Sequence, residues 1–98
     1  MSKVARSRER IRSSEIEPAV FEVCWRLYRR GETDLLDGGV ASARIADELE
    51  ASHSAARSAL QRLEQRGVIT ARDGAAPESL RARRSFVPTA LLEGGASA

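Results

Sequence analysis

Ninety-eight residues leave room for one domain rather than two, and the 21 Leu, Val, Ile and Phe among them allow only a small core, while sixteen Ala favour helix over core volume. The net charge of +2 hides a separation of sign: residues 1–14 carry +4, residues 15–51 carry −5, residues 52–87 carry +4 and the last eleven carry −1, as expected of a polar molecule with one face suited to a polyanion. A single Cys24 and a single His53 exclude an intrachain disulfide and a zinc constellation built from this chain, and no run reaches the roughly 20 apolar residues of a membrane span or the apolar core of a signal peptide, so a reducing, cytoplasmic setting is expected.

Residues 1–13 (MSKVARSRERIRS) are Arg-rich and short of large apolar side chains, which reads as a flexible basic arm of the kind that lies in a DNA minor groove or only solubilises its domain. The domain itself is expected over 14–93, followed by a disordered tail at 94–98. From Ser14 the pattern changes. Ile16, Val20, Val23, Cys24, Leu27 and Tyr28 recur at helical spacing and predict a first amphipathic helix. Ser14 with Glu17 resembles a capping box, Pro18 favours a first turn, and Gly31 is a natural stop, so the start falls between 14 and 18. Phe21 and Trp25 lie off the main stripe and need a cover, which either Leu91 and Leu92 or a second protomer supplies; these four form the candidate dimer interface.

Glu32 to Gly39 (ETDLLDGG) reads as a turn-rich connection. A second helix follows, with Val40, Ile45, Ala46 and Leu49 on its buried side, Ala41 or Ser42 at its cap, and an end near Glu50. After a short break, Ser52 offers an N-cap for a third helix that runs to about Arg66 and is halted by Gly67. Its inner stripe is Ala56, Ala59, Leu60 and Leu63. Its opposite face carries His53, Ser54, Arg57, Ser58, Gln61, Arg62 and Gln65, with no carboxylate before Glu64, so nearly every side chain there can bond a base edge or a phosphate. Val68–Arg72 and Arg83–Val87 are β-rich and predict an antiparallel pair joined by a long link, 73–82, with Arg81, Arg83 and Arg84 near its far end. Pro88 ends the second strand and 89–93 form a helical turn.

Helix, tight turn, helix, strand, long loop, strand is an order shared with a known superfamily. The segment 40–72, VASARIADELEASHSAARSALQRLEQRGVITAR, resembles winged helix-turn-helix domains: Ile45, Ala46 and Leu49 match the positioning helix, Ser52 the start of the recognition helix, and Leu60, Leu63, Gly67, Val68 and Ile69 its characteristic ending. The resemblance covers about a third of the chain closely. It implies a mainly α fold of three helices plus a two- or three-stranded wing, and places DNA-facing positions on His53, Ser54, Ala55, Arg57, Ser58 and Arg62, with Arg81, Arg83 and Arg84 on the wing; Ser52 at the helix start, Gln61 on the polar face and the basic Arg72 join them as expected DNA contacts. Two positions depart from the pattern. Glu50 stands where Gly is frequent, and Ala41 stands where a capping Thr or Ser is usual.

The function implied is sequence-specific binding of double-stranded DNA by a small, nucleoid-associated transcriptional regulator of MarR-like, GntR-like or phage-repressor type, acting as a homodimer. The same superfamily includes a translocase-type DNA reader, a ribosomal RNA-binding protein and winged helices that only dock other proteins, and these remain as alternatives. Asp47, Glu48 and Glu50 belong to a solvated helix exterior and no nucleophile has a recognisable base, so no enzyme activity, metal or cofactor is expected.

Overall fold

The computed structural model describes residues 13–92, of which the side chains of Ser13 and Ser14 are not described. The expected arm over residues 1–12, the end of the helical turn at Glu93 and the tail at 94–98 lie outside the described residues. Among the described residues, three helices precede a two-stranded antiparallel hairpin: α1 (Ser13–Arg29), α2 (Ser42–Leu49), α3 (His53–Gln65), β1 (Ile69–Ala75) and β2 (Ala82–Pro88). Residues 89–92 are again helical.

The helical spacing in the sequence corresponds to one continuous core. Ile16, Val20, Val23, Cys24 and Leu27 of α1 meet Ile45 of α2, Ala59, Leu60 and Leu63 of α3, and Ile69 and Phe86 of the hairpin; all are buried. Tyr28 and Leu49 pack on its margin. Helix α1 already includes Ser13, one residue before the expected range, and Pro18 lies inside it on an exposed position where the missing N–H costs one helical hydrogen bond. Ser14, expected at the cap, already lies inside the helix, and the carboxylate of Glu17 pairs with Arg62 and Arg66 of α3.

Helices α1, α2 and α3 close in the same way. Gly31 N–H bonds the Tyr28 carbonyl while Glu32 N–H bonds that of Leu27; Gly67 and Val68 repeat the pair onto Glu64 and Leu63; Glu50 and Ala51 repeat it onto Asp47 and Ala46. This double bond requires a left-handed residue at the turn, and Gly31, Gly67 and Glu50 all adopt it, with φ of 79°, 80° and 56°. The departure at Glu50 is thus a side chain held in the backbone conformation glycine normally supplies, at a cost of about 1 kcal/mol. At the start of α2, Ala41 occupies the cap position without a side-chain bond, and Ser42 is the first helical residue.

The hairpin is longer than its sequence suggests. The expected strands 68–72 and 83–87 become Ile69–Ala75 and Ala82–Pro88, and the ladder runs without interruption from Ile69 opposite Pro88 to Ala75 opposite Ala82. Asp73 and Gly74 therefore continue the strand instead of opening the link, which shrinks to 76–81. The reason lies outside the hairpin. The connection after α1 pairs with both of its edges, Leu35 with Ala75 and Val40 with Phe86. Leu36 and Asp37 make the turn between these bridges with φ of 61° and 59°, closed by Gly38 N–H to the Leu35 carbonyl. Val68 falls outside the strand and is 40% exposed, its N–H committed to the end of α3.

Gly39 passes so close to β2 that a Cβ there would lie 2.2 Å from the Phe86 carbonyl oxygen, whereas one on Gly67 would meet nothing within 4 Å. Gly67→Ala should therefore cost only the left-handed backbone penalty, about 1 kcal/mol in urea unfolding, and Gly39→Ala should cost clearly more because backbone must move. Equal losses would contradict this packing. Cys24 is fully buried, its thiol donating to the Phe86 carbonyl at 3.5 Å, and burial pushes its pKa up to about 12. The reactive thiolate is thereby suppressed, so alkylation at about pH 8 should await unfolding; rapid labelling of the native protein would show that the site opens readily.

Candidate nucleic-acid interface

Helix α3 is positioned by its buried side. Ala56, Ala59 and Leu60 are fully inaccessible and Leu63 is 2% exposed, which fixes the rotation of the helix about its axis. His53, Ser54, Arg57, Ser58, Gln61 and Arg62 are consequently exposed, and Ala55 is half-buried. Ser52 caps the helix, its hydroxyl accepting from Ala55 N–H at 3.0 Å. His53 is bound across the turn to α2, with Nε2 at 2.8 Å from Ser42 Oγ, so the first residue of α3 is tied to the first residue of the preceding helix.

Between the outer face of α3 and β2 lies an open depression of about 360 Å³. Ser54, Arg57, Ser58, Gln61 and Glu64 line it from α3, with Ser42 from α2 and Arg84 and Phe86 from β2. All of these but Phe86 present polar side chains, Glu64 is the one carboxylate among them, and Arg57 has no ion-pair partner among the described residues. Arg84 reaches Glu64 at 3.2 Å and so bridges the hairpin to α3. Arg62 and Arg66 share Glu17 of α1, at 2.5 and 2.9 Å. Arg72 is half-buried and donates to the Asp37 carbonyl at 2.9 Å. Arg81, exposed near the hairpin tip, has no acidic partner among the described residues.

Arg83 departs from the expected role. Its guanidinium grips Asp34 as a fork, Nε to Oδ2 and Nη2 to Oδ1 both at 2.7 Å, with the Asp34 side chain only 3% exposed. The hydrogen bonds to Asp34 raise the Arg83 pKa further. This guanidinium fastens the hairpin to the α1–α2 connection and is not a free neutraliser of phosphate. Beside it Ser85, fully buried, accepts from Gly39 N–H at 2.7 Å and donates to the Arg72 carbonyl at 3.2 Å. Asp34, Ser85, Glu17 and Glu64 were invisible to sequence reading as site-forming residues: their partners lie 20 to 49 residues away in the cases of Glu64, Glu17 and Asp34, and no local pattern announces them.

On α1, Phe21 and Trp25 are both half-buried, with ring centroids 5.7 Å apart and planes tilted by 50°. They line a shallow groove with Glu22, Arg26, Arg29 and Arg30. Leu91 and Leu92 are half-buried but do not line it. Among the described residues no group of His, Cys, Asp and Glu has the arrangement of a metal site, and no helix is long and apolar enough to cross a membrane. No protein-family profile, curated protein or solved structure matches the chain.

The Asp34–Arg83 fork is the electrostatic contact that most constrains the hairpin. Replacing either partner by Ala should destabilise the fold by about 1 to 3 kcal/mol, less than a fully buried pair because Arg83 is 34% exposed, and the double mutant should lose little more than Asp34→Ala alone. Additive losses in a double-mutant cycle would show that the two side chains do not interact.

Proposed function

We propose that the chain is a winged helix-turn-helix domain that binds double-stranded DNA, with α3 in the major groove and the hairpin as its wing, in the manner of a small transcriptional regulator. The observation that carries this reading is the division of α3 into a buried aliphatic stripe and an exposed face of Ser54, Arg57, Ser58 and Gln61, along which the first carboxylate is Glu64, held by Arg84. A major groove about 12 Å wide accepts a helix, and Arg57 at the centre of that face has the planar fork that reads the two acceptors of guanine. Ser52, Ser54 and the unpaired amides of the first turn suit a phosphate.

Arg62, Arg81 and Arg84 are exposed and neutralise backbone charge, with Arg72 at the margin and Arg83 reserved for Asp34. Roughly three to five phosphate contacts per protomer correspond to a slope of about −3 to −5 in log K against log salt. Arg57→Ala should weaken binding to a site selected from random duplexes by about 1 to 3 kcal/mol while leaving melting nearly unchanged, whereas Leu60→Ala should cost roughly 2 to 5 kcal/mol in folding. A flat salt dependence, or an Arg57→Ala protein that binds as well as the parent, would sink the reading, and intact folding with no enriched sequence would favour a docking module.

A further inference from the structure

The depression between α3 and β2 holds one pair of opposite charges. Glu64 lines it from the last turn of α3 and Arg84 from β2, and Arg84 Nη2 donates to Glu64 Oε2 at 3.2 Å. Their side chains are 30% and 64% exposed, so the bridge adds little to stability and its place in the depression calls for another explanation. Glu64 follows Arg57 by seven residues, which brings it back to within about 20° of Arg57 around the helix axis and about 10.5 Å further along it. Both side chains therefore lie on the flank of α3 that faces β2. One bond to Arg84 leaves the Glu64 carboxylate with acceptor capacity to spare, and the guanidinium of Arg84 keeps further N–H groups to donate.

An acceptor and a donor held side by side are the complement of one base pair. Along the major-groove edge a C·G pair presents a donor, cytosine N4, beside an acceptor, guanine O6, with a second acceptor, guanine N7, beyond it. We infer that the Glu64–Arg84 bridge reads one C·G pair, the Glu64 carboxylate accepting from cytosine N4 and an N–H of Arg84 donating to guanine O6 or N7. The inference rests on the placement of α3 in the major groove proposed above, and it adds a base contact to the charge that Arg84 brings to the backbone. The other three pairs fit less well. G·C and T·A turn a guanine or thymine acceptor toward the carboxylate, which has no N–H to answer it. A·T offers adenine N6 to Glu64 but sets the N7 acceptor next to it, and puts a thymine methyl on the side where guanine N7 would meet Arg84. At about 3.4 Å per base pair, an offset of about 10.5 Å puts this C·G pair about three steps from the guanine assigned to Arg57.

The test uses the full chain and four duplexes carrying the site it selects from a random pool, identical except for the base pair at that position. The parent should bind the C·G duplex about tenfold more tightly than each of the others. Glu64→Gln should erase this preference while leaving the choice of guanine opposite Arg57 and the melting temperature unchanged. Arg84→Ala should erase it too, on top of a loss common to all four duplexes. A Glu64 that only restrains Arg84 gives a different result: Glu64→Gln then tightens all four duplexes alike, and that outcome overturns the inference. A parent indifferent to the pair at that position, yet still selective for the guanine of Arg57, sinks this contact alone and leaves the DNA reading standing. A chain that selects no duplex at all removes both.

Discussion

The structure turns on the burial of one helix face. With Ala56, Ala59 and Leu60 fully inaccessible, α3 lies close against its neighbours, and the small Ala side chains allow that approach where larger ones would hold the backbones apart. Rotation of α3 by one residue's worth of arc would bring Arg57 or Gln61 into an apolar core with no partner for their polar groups, at a desolvation cost far above anything gained outside. The exposed face is therefore the remainder left by core packing, and what it presents is set by packing before any ligand is considered. Ser52 at one end and Gly67 at the other define its length, so its rotation and its extent are both fixed by local chemistry.

The hairpin is held by different means. A two-stranded sheet of this size is marginal alone, and here the connection after α1 supplies what it lacks. Leu35 and Val40 pair with its two outer edges, Gly39 allows the backbones to meet beneath Phe86, and the Arg83–Asp34 fork closes the side. Two non-glycine residues in left-handed conformation, Leu36 and Asp37, are tolerated in this turn because bridges on either side of it over-determine the path. Arg84 then ties β2 to α3 through Glu64, so the hairpin and the exposed helix face share one frame.

Much of this was legible in the sequence. The stripes of α1 and α3, the cap at Ser52 and the stops at Gly31 and Gly67 are written in neighbours a few residues apart, where helical periodicity and cap chemistry act, and even the strained position of Glu50 follows from where Gly would be expected. The parts that were not legible depend on partners distant in the chain. Asp73-Gly74 has the composition of a turn, yet Leu35, some 40 residues upstream, pairs with Ala75 and keeps the strand straight through it. Arg83 reads as one more basic side chain at a hairpin tip until Asp34 is placed beside it. Glu17 reads as a capping acid because its real partners, Arg62 and Arg66, belong to another helix.

Those distant acids alter how the basic surface is to be counted. An exposed ion pair contributes between nothing and about 1 kcal/mol, so Glu17 and Glu64 do little to hold the fold together, but they hold Arg62, Arg66 and Arg84 in defined positions. A phosphate arriving at such an arginine replaces a carboxylate instead of bulk water, and the exchange yields less than the meeting of two unpaired charges. In the proposed complex the guanidinium groups of Arg57 and Arg81, which have no acidic partner among the described residues, would then dominate affinity, while the paired ones would chiefly govern orientation. The arginine most fully committed to an acid, Arg83, acts furthest from any ligand: by fixing the hairpin it determines where Arg81 and Arg84 stand relative to α3.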